Sequence, residues 1–325
     1  ERGMPVGPDP VAGYAARRRA RLAAAFPGEA LVVAAGRAAN RNGDVEHGFR
    51  ADSAFVHLTG CGLPESAEAV LLLQGTAEDE VGGTLFWQLP ADDAEERERR
   101  VWAGEAPHAE EIARRFSLDV QPLSRLESVL TGLDCIPIRV IRGSDSRTVS
   151  LVERLRPGPG SLERDLELEE RASELRLQKD DWEIAQLRQA GSATIDGFHD
   201  VVSALPRALA HRRGERVVET AFASRARIEG NGVGYETVAA AGEHTTALHW
   251  MHNDGPVSAG DLLLLDAGVE VETLYTADLT RTLPVGGSFS DVQLQVYEAV
   301  LDAADTVFRA VRPGATIRGL HEIAM

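Results

Sequence analysis

The sequence predicts an α/β domain followed by an α+β domain, and three observations lead there. Apolar runs closed by glycine alternate with charged helical segments over residues 1–160. RPGPGS at 156–161 then sets two prolines and two glycines in six residues, which neither a helix nor a central strand continues through. Beyond it the order becomes helix, helix, strand, hairpin, helix, which is the order of helices packed on an antiparallel sheet. A length of 325 residues accommodates two cores, at about 150 residues per domain.

In the first domain a helix is expected from Val11 to Phe26, ended by Pro27-Gly28. ALVVAAG (30–36) and AVLLLQG (69–75) read as buried strands, and GTLFWQLP (83–90) as a third, stopped by Pro90. ADDAEERERRVWAG (91–104) is charged and helical. HAEEIARRF (108–116) and SRLESVLTGL (124–133) read as helices alternating with the short strand IPIRVI (136–141). The charged run LERDLELEERASELRLQKDDWE (162–183) reads as a solvated helix, so residues 161–181 are expected to link the domains.

The second domain, 182–325, opens with a helix from Trp182 to Leu205. Ile184, Leu187, Ala190 or Gly191, Ile195, Phe198 and Val202 recur at helical spacing and are expected to face the core. GERVVETAFASRARIEG (214–230) is a second helix, and NGVGYETVAAAG (231–242) changes to strand and turn. LLLLDAG (262–268) and VEVETLYTADLTRTLP (269–284) form a hairpin. Because Leu262 to Leu265 are apolar in succession, both faces of that sheet are expected to be covered. FSDVQLQVYEAVLDAADTVFRAVRPG (289–314) is a helix capped by Ser290 and terminated by Pro313-Gly314, and another begins near Ile317. No internal repeat is found.

Composition narrows the function. Lys plus Arg total 34 against 51 Asp plus Glu, and a net charge of −17 argues against nucleic acid as a partner while remaining compatible with a cation site. The two cysteines, Cys61 and Cys135, are too few for a disulfide framework and read as core thiols of a reducing compartment, the cytoplasm. No apolar run reaches 18 residues, so no membrane partner is expected, and ERGMPVGPDP reads as a frayed start without an apolar signal region.

Asp266 and Asp278 stand out chemically. They lie twelve residues apart, on the two arms of an apolar hairpin, which brings two like charges together. A divalent cation would supply the missing positive charge: manganese or magnesium with oxygen ligands, or zinc if imidazole joins. Two cations about 3.5–4 Å apart would form a hydrolytic clamp. The plainer alternative pairs Asp278 with Arg281 and uses Asp266 to cap the Gly268 turn. GEHTTALHWMHND (242–254) adds three histidines, His244, His249 and His252, just before the strand that ends in Asp266, and together they point to a cleft. HExxH, a serine elbow, a phosphate loop and zinc-finger spacing are all absent.

GEHTTALHW, GDLLLLDAG and YTADLTRTLPVGGSFSDVQLQVYEAVL together resemble the proline-specific pita-bread metallopeptidases, the Xaa-Pro aminopeptidases (aminopeptidase P) and prolidases. RRARLAAAFPGEALVVAAG and FRADSAFVHLTGCGLPESAEAVLLL resemble the N-terminal domain of the same family, so the likeness covers nearly the whole chain. The resemblance implies a creatinase/prolidase-like α/β N-terminal domain serving oligomerisation and cleft closure, then a pita-bread domain. It implies hydrolysis of the bond between an N-terminal residue and a following proline by a metal-bridging hydroxide. The cofactor implied is two divalent metal ions, manganese first, with zinc, cobalt or magnesium as alternatives. Asp266 and Asp278 match metal ligands, the second bridging both ions, and His249 matches a group that stabilises the reacting peptide. The implied partners are peptides with proline second and a homodimer or tetramer.

Departures accompany the likeness. The aspartate spacing is twelve where eleven is common, so one extra residue is expected in the turn or as a bulge. His244 stands where asparagine is frequent, and Trp250 where tyrosine is. A histidine and two glutamates that complete the family's ligand set are expected on strands after Met325, so the pita-bread domain is read as incomplete. A prolidase confined to dipeptides is the alternative enzyme. A binding or scaffold protein without catalysis is the alternative if the protein ends there. A creatine-type amidinohydrolase, which uses no metal, is opposed by the aspartate pair.

Overall fold

The computed structural model describes residues 7–74, 83–90, 101–102, 104–133, 136–156 and 161–325. Two compact units emerge, Glu1–Ala185 and Gln186–Met325.

The first unit is built on a five-stranded mixed sheet. In chain order its members are β1 (Ala30–Ala34), β4 (Val70–Gln74), β5 (Gly83–Trp87), β6 (Asp119–Pro122) and β7 (Ile138–Val140), arranged β6-β5-β4-β1-β7. A small hairpin, β2 (Asn40–Asn42) and β3 (Val45–Glu46), stands apart. β4 pairs antiparallel with β1 and β5, while β7 joins β1 and β6 joins β5 in parallel. Every residue of β1 is buried, because helices cover both faces.

Side-chain alternation divides the strands between two cores. Leu31, Val33, Leu71, Leu73, Leu85 and Trp87 pack on one face against four helices: α1 (Ala12–Ala24), α2 (Ser53–Thr59), α3 (Ala109–Phe116) and α6 (Ser161–Leu177). Val32, Ala34, Val70, Leu72 and Phe86 pack on the other against α4 (Leu126–Thr131) and α5 (Ser146–Leu155). Register explains the split, since Leu31 faces Leu73 and Val33 faces Leu71 across the ladder.

Three elements differ from the sequence expectation. β6 is an edge strand of polar and half-exposed residues, without an apolar run to announce it. α2 and α5 are short helices started by aspartates. Asp52 accepts from the Ala54 and Phe55 amides, and Asp145 accepts from Arg147 and Thr148. The helical reading of 91–104 falls largely outside the described residues, as do Cys135 and positions 157–160 of the proline-glycine boundary. Cys61 is buried and free, and burial pushes its thiol up to about 12.

The charged run expected to be a solvated helix does form a helix, α6, but one side of it is buried in the first unit. Leu168 and Ala172 enter the core, and Asp165 is fully buried. The carboxylate of Asp165 accepts the Val140 amide at 2.9 Å, the Arg142 guanidinium at 2.9 Å and the Arg156 guanidinium at 2.8 Å. Charge outnumbers apolar residues in this sequence, yet a buried carboxylate with three donors ties the helix to β7, Arg142 and Arg156.

The second unit packs α7 (Asp181–Leu209), from Gln186 onward, and α8 (Gly214–Glu229) on a three-stranded antiparallel sheet. That sheet comprises β9 (Val238–Ala241), β10 (Leu262–Ala267) and β12 (Leu279–Pro284), in the order β12-β10-β9. β8 (Gly232–Val233) and β11 (Val269–Glu270) form a separate pair. The buried face of α7 runs through Ala190, Ala193, Gly197, Val201 and Ala208. Ile195 and Val202, expected inward, are 51% and 49% exposed. The reason is close packing: a Cβ on Gly197 would come within 2.6 Å of the Phe222 ring of α8. Small residues, not the largest apolar ones, mark the contact stripe.

β10 also corrects an expectation. Leu263, Leu265 and Ala267 are buried against α7 and α8, but Leu262, Leu264 and Asp266 on the opposite face are only half-buried. One face is covered, and Asp266 lies on the other. α9 (Asp291–Ala310) follows with the N-cap foreseen at Ser290, which the structure completes as a capping box with Gln293, and α10 (Ile317–Ala324) is capped by Thr316. Among the described residues, no helix is long and apolar enough to cross a membrane.

Candidate metal centre

The β10–β12 ladder brings the two aspartates to one face. Its six pairs run without a register shift from Leu262 opposite Pro284 to Ala267 opposite Leu279. Asp266 faces Thr280, and Asp278 lies two residues before Thr280, hence on the same side by strand alternation. The ladder has no bulge. The connection closes instead in a turn, where Leu274 donates to the Val271 carbonyl at 2.8 Å with a left-handed φ of 68°.

Tyr235 joins the two carboxylates. Its hydroxyl lies 2.6 Å from Asp266 Oδ1 and 3.0 Å from Asp278 Oδ1. Two glycines make this approach sterically open. A Cβ on Gly268 would fall 1.6 Å from the Ala277 carbonyl oxygen and 3.1 Å from the Tyr235 ring, and one on Gly234 would fall 2.0 Å from Thr276 Cγ2. Burial and the two neighbouring carboxylates push the Tyr235 phenol far above its ordinary pKa, so it stays a proton donor.

One hydroxyl proton shared between two carboxylates leaves most of their lone pairs unused. The plainer pairing is not formed: Arg281 donates to the Thr280 carbonyl, and among the described residues no ion pair links it to Asp278. Asp266 is half-buried and Asp278 exposed, which corrects the expectation of two buried carboxylates. An all-oxygen donor set with open lone pairs suits a hard divalent cation. Among the described residues no third His, Cys, Asp or Glu completes a metal-holding group around the pair.

The histidine segment is held by a different carboxylate. Glu215, in the first turn of α8, contacts His244 and Trp250, which stack with ring centroids 3.8 Å apart. His252 meets the Trp250 ring edge-on at 5.2 Å. Asn253, buried with a left-handed φ of 46°, ties the segment to β9 by accepting the Ala239 amide and donating to the Thr237 carbonyl. His249 is exposed on the turn between these anchors, beside Leu248 at 93% exposure. Among the described residues no hydrogen bond or ion pair joins His249 to Asp266 or Asp278.

Sequence reasoning missed Tyr235 and Glu215. Tyr235 sits in a turn-rich stretch, GVGYET, where an aromatic hydroxyl among glycines was its one signal. Glu215 reads as an ordinary acid in the first turn of a helix.

Comparison with known proteins places this chain in a family. Residues 185–325 match metallopeptidase family M24, and residues 15–134 match the aminopeptidase P N-terminal domain. Xaa-Pro aminopeptidase 2 of Streptomyces coelicolor is 42% identical over 327 residues, covering 98% of this chain and 67% of that protein. Xaa-Pro aminopeptidase 1 of the same organism is 42% identical over 325 residues, covering 97% and 63%. Among solved structures, E. coli aminopeptidase P with the inhibitor Pro-Leu matches with a TM-score of 0.79 at 26% identity, covering 97% of this chain and 72% of that one. Proline aminopeptidase P II from Yersinia pestis matches at 0.76 and 26%, covering 95% and 71%. The chain thus spans about two thirds of its curated relatives. With the fold, the aspartate-bearing hairpin and this similarity in agreement, the chain belongs to the Xaa-Pro aminopeptidases of metallopeptidase family M24, an aminopeptidase P N-terminal domain followed by a pita-bread domain.

Proposed function

We propose that the protein hydrolyses the peptide bond between an N-terminal residue and a following proline, acting as an Xaa-Pro aminopeptidase. The observation that carries this reading is the Asp266–Tyr235–Asp278 arrangement, in a chain 42% identical to curated Xaa-Pro aminopeptidases. Asp266 and Asp278 are the ligands we assign to two divalent cations; their oxygen donors suit manganese or magnesium, and the family resemblance puts manganese first. Bound there, such cations supply an activated water and polarise the scissile carbonyl.

The chain's own residues do the rest. Tyr235 holds the two carboxylates at a fixed separation and keeps them oriented toward the open face. His249 presents an exposed imidazole on a pinned turn, and we assign it the hydrogen bond to the reacting peptide. We assign the first unit to assembly, with a homodimer as the working state, and place the protein in the cytoplasm, consistent with two cysteines in 325 residues.

The test is cleavage of an Xaa-Pro-Xaa tripeptide and an Xaa-Pro dipeptide by the full-length protein, with chelator and after manganese is restored. Release of the N-terminal residue from the tripeptide, abolished by chelator and regained with manganese, is expected. Cleavage of the dipeptide alone would move the assignment to a prolidase. Absence of cleavage with manganese present would refute the peptidase.

A further inference from the structure

Glu215 is fully buried, and nothing in the proposed chemistry uses it. Its two oxygens take four donors, two each. Oε1 accepts the Ala241 amide at 2.8 Å and faces His244 Nδ1 at 2.8 Å. Oε2 accepts Trp250 Nε1 at 3.0 Å and the Gly255 amide at 2.7 Å. An ionised carboxylate only accepts, so His244 carries its proton on Nδ1.

These four donors bracket one segment. Ala241 and Gly255 lie at its ends, and His244 and Trp250 lie on either side of His249. The close fit extends to the backbone: a Cβ on Gly255 would fall 2.6 Å from His244 Cε1 and 3.0 Å from Glu215 Oε2. His244 and Trp250 also touch each other, stacked at 3.8 Å with planes 23° apart, on the same carboxylate.

We propose that Glu215 is a positioning residue: through His244 and Trp250 it fixes the turn that presents His249 to the peptide. This inference rests on the peptidase reading for its catalytic consequence, but its structural half stands apart. Without the carboxylate, Asn253 is, among the described residues, the one side-chain anchor that ties this turn, with Leu248 and His249 exposed, to the sheet. Misplacement of a group by about 1 Å costs on the order of 100-fold in rate.

The experiment uses Glu215→Gln and Trp250→Phe in the full-length protein, each with and without His249→Ala. Glutamine turns an amide N–H toward two of the four donors, whereas phenylalanine removes the indole N–H and shortens the ring stacked on His244, the milder change. Glu215→Gln is expected to lower kcat on the tripeptide about 10- to 100-fold with KM within about twofold, and Trp250→Phe to lower it about threefold. His249→Ala is expected to cost much less in the Glu215→Gln background than in the wild type. Amide exchange over 242–255 is expected to quicken in both variants while that of 12–24 stays unchanged. Should Glu215→Gln not fold, Trp250→Phe and its pairing with His249→Ala decide the matter. Unchanged exchange over 242–255, or an equal cost of His249→Ala in every background, would overturn the proposal. Quickened exchange in a protein whose wild type cleaves no Xaa-Pro peptide would uphold the clamp and refute the peptidase alone.

Discussion

Glu215 and the Asp266–Asp278 pair belong to the same unit and the same residue chemistry, yet they are neutralised in opposite ways. Glu215 is buried with four N–H groups on its two oxygens. Asp266 and Asp278, half-buried and exposed, share one phenolic proton. A carboxylate saturated by protein donors has no lone pair to offer a cation and serves to hold chain in place. A pair left open toward solvent keeps its ligand capacity. Asp165 in the first unit falls with Glu215, since an amide and two guanidiniums surround it. Burial and donor supply, not residue type, separate carboxylates saturated by the protein from those left open to take a cation.

That contrast breaks most easily at the open pair. Asp278→Asn and Asp266→Asn should each reduce tripeptide hydrolysis by about three orders of magnitude, since a metal site is worth several kcal/mol to the transition state. Neither should lower the melting temperature of metal-free protein, because one of two like charges is removed. A comparable loss of stability in Asp278→Asn would mean that the pair is structural after all.

At the saturated sites the signature reverses. Asp165→Asn should cost about 3 kcal/mol of unfolding free energy, measured by denaturant titration, because two guanidiniums lose their counter-charge. Burial works against the charged form of Asp165, but Arg156, the Val140 amide and Arg142 outweigh it and hold the carboxyl below the ordinary range. Its contribution is therefore complete above the ordinary carboxylate range and is lost as pH falls through the lowered value. The acid limb of the stability curve should accordingly be shallower in Asp165→Asn than in wild type. Smallest of all, Tyr235→Phe should weaken manganese binding by about tenfold without a fold change, as loss of a partner to a ligand does. An unaltered affinity would show that the hydroxyl only fills space between the carboxylates.

Legibility in the sequence follows the range of the interaction. β1 and β10 are continuous apolar runs, so local pattern revealed them. Asp266 and Asp278 were visible because a hairpin joins them within twelve residues. Tyr235 reaches Asp266 from 31 residues away, and Glu215 reaches Gly255 across 40, separations at which no periodicity carries a signal. The α7 stripe misled for a different reason: hydrophobic size pointed to Ile195 and Val202, whereas contact with Phe222 selects glycine and alanine. β6 and α5 were missed because polar residues make up an edge strand and a side-chain cap starts a helix of mixed composition. α6 was legible as a helix but looked solvated on every side, because its anchor is a charge.

The most direct test is the melting temperature of the full-length protein as manganese is raised, in wild type, Asp278→Asn and Trp250→Phe. Binding to the folded state alone adds about 2.7 kcal/mol at a hundredfold excess over Kd. The account predicts a rise in wild type and in Trp250→Phe, and none in Asp278→Asn. An equal rise in Asp278→Asn, or no rise in wild type, would contradict it.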